Sequence, residues 1–192
     1  FFDSDQIILT SASSKTALSL AFLLKKNKAL DQKKIIGITS KNNINLLLNI
    51  GFYDKVISYD SLESELNKSK LIVIDFSGNS DYLKKIHNYF GNLLKHVCLV
   101  GLADWASKMD FKLIPNSKFF FAPSHAESRY KKMGVKETTL LADNIMNEFI
   151  MKIKDYLKLT YVEGRMELNE LYLNFLNGKI DPSKAYIVQS VK

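Results

Sequence analysis

The stretch Gln6-Ile7-Ile8-Leu9-Thr10-Ser11-Ala12-Ser13-Ser14-Lys15-Thr16-Ala17-Leu18-Ser19-Leu20-Ala21-Phe22-Leu23-Leu24 decides the fold. Ile7-Ile8-Leu9 is an apolar run of strand type, and Thr10 to Thr16 is a tight loop of mostly small residues. Ala17, Leu20, Ala21 and Leu24 then recur at helical spacing, so the segment reads as strand, loop, helix. A helix that starts here presents unpaired backbone N–H groups and the positive end of its dipole, which suit an anion. The serine hydroxyls add donors and Lys15 adds charge. Ala17 and Ala21 are small enough to let the helix lie close to a sheet.

Close helix–sheet packing is the job of the last glycine in the dinucleotide fingerprint G-x-G-x-x-G. The loop itself contains no glycine, so the fingerprint is absent. Small side chains can substitute, because such a loop needs close backbone approach to a pyrophosphate. Two readings stand on this stretch: a phosphate-binding loop, and an ordinary strand-to-helix turn capped by a serine. Ser14-Lys15-Thr16 resembles the P-loop ending G-K-[ST], but Leu9 and Ser14 occupy the places of its two glycines. The P-loop reading is therefore set aside.

Outward from this stretch, short apolar runs alternate with helical patterns. Strands are predicted at 34–38, 55–59, 71–74, 96–100 and 118–121, with helices after most of them. Gly51 and Pro123 serve as stops. Nearly unbroken apolar strands between helices mark a parallel sheet covered on both faces. The right-handed crossover rule then gives an α/β, doubly wound, Rossmann-like sheet in the order 3-2-1-4-5-6. From Ala126 onward the pattern turns helical, with Asn147 to Leu159 and Met166 to Leu176 as helices and Lys184 to Val188 as a last strand. Strand six, Lys118-Phe119-Phe120-Phe121, is expected at an edge of the sheet. An apolar edge invites pairing with a second copy about a two-fold axis, which predicts a homodimer. In one competing reading, Lys184 to Val188 covers this edge within the monomer, and in another the missing N-terminal half does.

Composition narrows the classes. The 192 residues are 46% hydrophobic, enough for one well-buried domain over 1–192. No apolar run is long enough for a transmembrane helix, and no signal-peptide pattern opens the chain. The first residue is Phe1, so a piece of a longer protein is expected. One cysteine, Cys98, excludes an internal disulfide and lies in an apolar run, which favours core over reactive thiol. Three scattered histidines give no metal spacing. A cytoplasmic protein is the simplest reading. The net charge of +7 comes without a nucleic-acid recognition motif, so no nucleic-acid partner is expected. An attraction for phosphorylated small molecules fits the charge.

In doubly wound sheets the ligand lies beyond the carboxyl ends of the strands. Four such ends matter here: 11–16, 39–42, 75–79 and 101–105. An NAD site wants an acid after strand two, about 20 residues beyond the phosphate loop. This chain offers Thr39, Ser40 and Lys41, whose hydroxyl and ammonium groups suit a 2′-phosphate, so NADP is favoured over NAD. Lys41 as a solvated helix-start residue is the alternative. Asp104 and Trp105 follow strand five, and His125 follows strand six as a candidate proton donor. Each also has a plain structural reading.

The chain as a whole resembles the medium-chain dehydrogenase/reductase superfamily in its quinone-reductase-like branch. The resemblance runs through the loop after strand one, the Ser40-Lys41 pair, and the phrase from Leu47 to Tyr59. It continues through Asp75-Phe76-Ser77-Gly78-Asn79 and the segment from Asn174 to Ile180. The wording is closest to an uncharacterised branch known only as a domain of unknown function. The resemblance implies NADP(H) binding. Ser11 and Ser13 to Thr16 would lie at the pyrophosphate, and Lys41 and Tyr59 at the 2′-phosphate and adenosine end. Gly78, Gly101 and Phe121 would lie near the nicotinamide, and Ser77 is a further cofactor-binding candidate. It also implies a small-molecule substrate and the same dimer. The superfamily's catalytic domain, normally N-terminal to this one, is absent from the sequence, as are zinc ligands, so turnover by this chain alone stays open. A non-catalytic nucleotide-sensing module is the alternative function. A methyltransferase is weaker, because its first loop would be glycine-rich.

Overall fold

The computed structural model describes residues 2–100 and 114–189. Its frame is a six-stranded sheet in the order β3-β2-β1-β4-β5-β6, parallel throughout. The strands are β1 (Gln6–Leu9), β2 (Lys34–Thr39), β3 (Lys55–Ser58), β4 (Leu71–Asp75), β5 (Leu94–Leu99) and β6 (Ser117–Phe119). The predicted fold class and strand order are those observed.

Each crossover carries its apolar residues to one face of the sheet. Ile7 and Leu9 of β1 join one core with α1 (Lys15–Lys26), α2 (Ile44–Ile50) and α6 (Val135–Ile153). Ile8 joins the other core with α3 (Leu62–Glu65) and α4 (Ser80–Phe90). That division is the period-two alternation of a strand, and burial on both faces is what makes the strand read as an unbroken apolar run. Ala12, Ala17 and Ala21 are fully buried where α1 lies on the sheet. Gly37 of β2 sits under this contact. A Cβ there would come within 2.9 Å of the Ala12 Cβ and 3.0 Å of the Tyr53 ring, so the close approach needs glycine. Gly51 ends α2 in the left-handed conformation at φ 78°, as expected of a helix stop.

The C-terminal part departs from the sequence reading in three places. Helix α6 runs over Val135–Ile153, and the segment expected to continue as helix to Leu159 instead enters β7 (Lys158–Glu163). Ile150, Ile153 and Leu157 keep helical spacing past the true end of the helix, which is why periodicity overran it. Strand β8 (Lys184–Gln189) pairs in parallel with β7 in a separate two-stranded sheet, joined by α7 (Gly164–Leu176). It therefore does not cover β6, and that competing reading is withdrawn. Finally, α5 (Ala122–Met133) starts four residues earlier than the expected Ala126, with Pro123 in its first turn. Proline fits there because that N–H has no helical partner. Among the described strands β6 is at the edge of the sheet, as expected.

Candidate functional site

The carboxyl ends of β1, β2 and β3 meet at one cleft of about 600 Å³. Its near wall carries Ser11, Ser13, Ser14, Lys15, Thr39, Ser40 and Tyr59. Its far wall is the α7–β8 segment, including Phe175, Pro182 and Tyr186. Seven of the residues singled out from sequence are thus brought together. Thr16, Lys41, Ser77, Gly78 and Phe121 do not line this cleft, and Gly101, Asp104 and Trp105 lie outside the described residues. His125 is in the first turn of α5, stacked on Phe120 at 4.4 Å, in a separate groove.

The loop 10–16 is built from polar bonds rather than glycines. Ser11 has φ 44°, a left-handed conformation that disfavours an L-residue by roughly 1–2 kcal/mol. Its N–H donates to the Tyr59 Oη at 3.0 Å, and the two hydroxyls lie 3.2 Å apart. The Ala12 N–H donates to the Ile38 carbonyl at 3.0 Å, and the Ala12 carbonyl accepts from the Tyr53 hydroxyl at 2.9 Å. Burial pushes the Tyr53 phenol far above its ordinary value, so it stays a donor. Ser14 caps α1 by accepting from the Ala17 N–H, and its own N–H donates to the Ser11 carbonyl at 2.8 Å. The backbone N–H groups of Lys15 and Thr16 have no partner among the described residues. They point out of the positive end of a 12-residue helix, which is where an anion is favoured.

Below the loop lies the first residue of the predicted 75–79 ligand loop, a carboxylate whose bonding role no sequence pattern showed. Asp75, at the end of β4, is fully buried. It accepts from the Thr10 hydroxyl, from the Ser77 N–H and hydroxyl, and from the Gly78 N–H at 2.9 Å. Thr10 Oγ1 in turn accepts from the Phe76 N–H at 2.9 Å. The network ties the end of β1 to the end of β4, so two of the predicted ligand loops are fixed to one another. A second link, also missed, joins loops one and two. The Asn43 side-chain amide and the Thr39 hydroxyl both donate to Ser13 Oγ at 3.2 Å. The readable signal was a polar residue within one turn of the strand end.

The two cations differ. Lys41 is 72% exposed with its ammonium 3.5 Å from the Asp60 carboxylate, an ion pair in solvent that a stronger anion can displace. Lys15 is turned away from the loop. Its ammonium donates to the carbonyls of Pro182 at 2.6 Å and Lys184 at 2.9 Å, tying α1 to the start of β8. Partial burial lowers the Lys15 ammonium from its ordinary value, and the Asp181 carboxylate opposes that shift. Cys98 is half-buried in β5, and burial raises its thiol, which leaves it a poor nucleophile. Among the described residues no group of acidic, histidine or cysteine side chains is placed to hold a metal, and no helix is long and apolar enough to cross a membrane.

The arrangement has known counterparts. A family model described as "Protein of unknown function (DUF2855)" matches residues 1–181. No curated protein matches the sequence. Among solved structures, the yhdH oxidoreductase from Salmonella enterica in complex with NADP is 15% identical, with a TM-score of 0.60. The match covers 99% of this chain and 56% of that one. CurA from Vibrio vulnificus in complex with NADPH is 16% identical at a TM-score of 0.61, covering 98% of this chain and 58% of the other. The quinone oxidoreductase from Coxiella burnetii is 13% identical at 0.58, covering 96% and 53%. These likenesses show the fold, the doubly wound parallel sheet expected from the sequence. The chain spans little more than half the length of each of these structures.

Proposed function

The chain belongs to the DUF2855 family, whose function is unknown, and from that premise we propose that it is the NADP(H)-binding part of a medium-chain-reductase-like oxidoreductase. One observation carries the reading. The start of α1, whose Lys15 and Thr16 N–H groups have no partner among the described residues, borders through Ser13, Ser14 and Lys15 the cleft at the carboxyl ends of β1, β2 and β3, where a doubly wound sheet takes its ligand. The residues present fit the phosphate end of a dinucleotide. Ser13 and Ser14 border the helix start, Ala12 and Gly37 allow close backbone approach, and Lys41 carries the charge for a 2′-phosphate. Lys15 is assigned to the Pro182 and Lys184 carbonyls instead. When bound, the nicotinamide would supply or accept a hydride. The chain's own part is to hold and orient the dinucleotide.

The two solved relatives that carry NADP or NADPH support the choice of cofactor. The reduced coverage of their length supports a catalytic domain beyond this chain, with a small-molecule substrate held between the two parts. The exposed apolar residues of α7 and β8, among them Tyr172, Phe175 and Val188, are surface that such a domain would cover. We further assign the protein to the cytoplasm, in keeping with its single cysteine. We also infer a homodimer along β6, where Phe119 is 43% exposed and Phe121, just beyond the strand, is 56% exposed. Sedimentation of the parent and of Phe121→Lys tests the dimer, and a parent that is monomeric at micromolar concentration rules it out. Phe120→Pro is unsuitable for that test, because the Phe120 N–H donates to the Leu99 carbonyl within the same sheet.

Titration with NADPH and NADH, followed by nicotinamide fluorescence or calorimetry, tests the cofactor. Saturable binding with NADPH preferred is expected. Lys41→Ala should weaken NADPH by roughly 1.5–3 kcal/mol and leave NADH nearly unchanged. No saturable binding of either would end the reading, and tighter NADH would end the 2′-phosphate assignment.

A further inference from the structure

We infer that Tyr59 is a positioning residue whose hydroxyl does for this loop what glycine does in a glycine-rich one: it holds Ser11 in the left-handed turn on which the loop is built. The inference rests on the cofactor reading for its consequence in binding, but its geometry stands apart from it. No glycine occurs between Gln6 and Ile36, so the chain must leave β1 and turn without one. Ser11 makes the turn at φ 44°. A residue held in such a conformation persists only where its surroundings over-determine it.

Those surroundings come from the neighbouring strands. Ala12 is fixed on both sides, by the Ile38 carbonyl and by the Tyr53 hydroxyl. Ser11 is fixed by Tyr59, 48 residues away in sequence, which takes its N–H at 3.0 Å and meets its hydroxyl at 3.2 Å. A phenol that accepts from the N–H is free to donate its own proton to the Ser11 Oγ, so both bonds form together. The ring is itself held, edge-on to Tyr82 at 4.8 Å and 84°. It follows directly on β3, where Ser58 and Ser61 close a capping box on the turn. The Tyr59 Oη therefore has a fixed place, and Ser11 is registered against it. The resemblance gave Tyr59 a different task, direct contact with the adenosine end. The geometry shows its hydroxyl already engaged by the loop.

Glycine adopts left-handed backbone without steric cost. If Tyr59 works by holding Ser11, its hydroxyl should matter less once residue 11 no longer resists the turn. The test is a cycle of four proteins: the parent, Tyr59→Phe, Ser11→Gly and the double variant, each measured by thermal unfolding and NADPH titration. Tyr59→Phe keeps the ring on Tyr82 and removes only the oxygen. In the parent background it should lower the midpoint by roughly 2–4 °C. It should also weaken NADPH about three- to tenfold. In the Ser11→Gly background both losses should fall to less than half. Equal midpoint losses in the two backgrounds would overturn the inference. So would an NADPH loss that Ser11→Gly leaves intact, which would make Tyr59 a direct ligand. Coupled midpoints in a set of proteins that all fail to bind NADPH or NADH would uphold the positioning role and remove the cofactor reading instead.

Discussion

Strands β4 and β7 are close in length and opposite in surroundings. All five residues of β4, Leu71 to Asp75, are buried, whereas in β7 only Val162 is, and Leu159 and Tyr161 are more than half exposed. Both strands pair in parallel, so hydrogen bonding does not separate them. What differs is cover. β4 has a neighbour on each edge and helices over both faces, supplied by crossovers of the same chain. Among the described strands β7 has one neighbour, β8, with α7 alone between them in sequence. Parallel strands are ordinarily covered on both faces. The centre of the sheet is therefore covered by its own chain, and the β7–α7–β8 unit leaves apolar surface for something else to complete.

The widest gap between the halves should appear in core truncations. Ile8 is fully buried at the centre of the sheet. Ile8→Ala should cost about 2–5 kcal/mol in urea unfolding, from lost transfer energy and the cavity left behind. Tyr161→Ala in β7 should cost under about 0.5 kcal/mol, the ordinary range for an exposed position. Comparable costs at the two sites would break the comparison and imply that β7 is buried in solution by a contact such as self-association.

The same contrast explains what the sequence could say. The sheet was legible because its central strands are buried on both faces, so their residues form unbroken apolar runs such as Leu71-Ile72-Val73-Ile74. The loops bordering the cleft were legible because they sit at the carboxyl ends of those runs. β7 was not legible, since Lys158-Leu159-Thr160-Tyr161-Val162-Glu163 alternates weakly and follows a helix whose spacing carries on through Leu157. Within the site, the hydroxyl-rich loop showed in the sequence but its supports did not. Tyr53 and Asp75 reach it from 41 and 65 residues away, through hydrogen bonds no local pattern encodes. Lys15 is the sharpest case. A lysine after two serines at a helix start reads as a phosphate ligand, and only the returning chain around Pro182 shows where its ammonium is held.

A smaller effect should come from the join inside the sheet half. Asp75→Ala removes the carboxylate that accepts from the Thr10 and Ser77 hydroxyls and from the Ser77 and Gly78 N–H groups. Bonds to a buried carboxylate of this kind should make the loss about 1.5–3 kcal/mol by chemical denaturation. Hydrogen exchange should quicken at 10–12 and 76–79 together, since one carboxylate holds both loops. Faster exchange in one loop alone would show that the two are fixed separately.

The smallest effect tests the link between the halves. Among the described residues, the hydrogen bonds from the sheet half to the β7–α7–β8 unit are those of Lys15 to the Pro182 and Lys184 carbonyls. Lys15→Met keeps most of the aliphatic stem and removes the ammonium. Both carbonyls are at the surface and can turn to water, so global stability should fall by about 1 kcal/mol or less. The local consequence should be clearer than the global one. If the ammonium seats β8 against the cleft, amide exchange across 184–189 should rise severalfold in Lys15→Met while that of 6–9 stays unchanged, because local opening is governed by local contacts. Unchanged exchange in β8 would mean that packing of Phe175, Ile180 and Tyr186 along the cleft holds the unit by itself. The lysine would then be available to a phosphate after all, which makes the exchange measurement repeated with NADPH present the sharper form of the experiment.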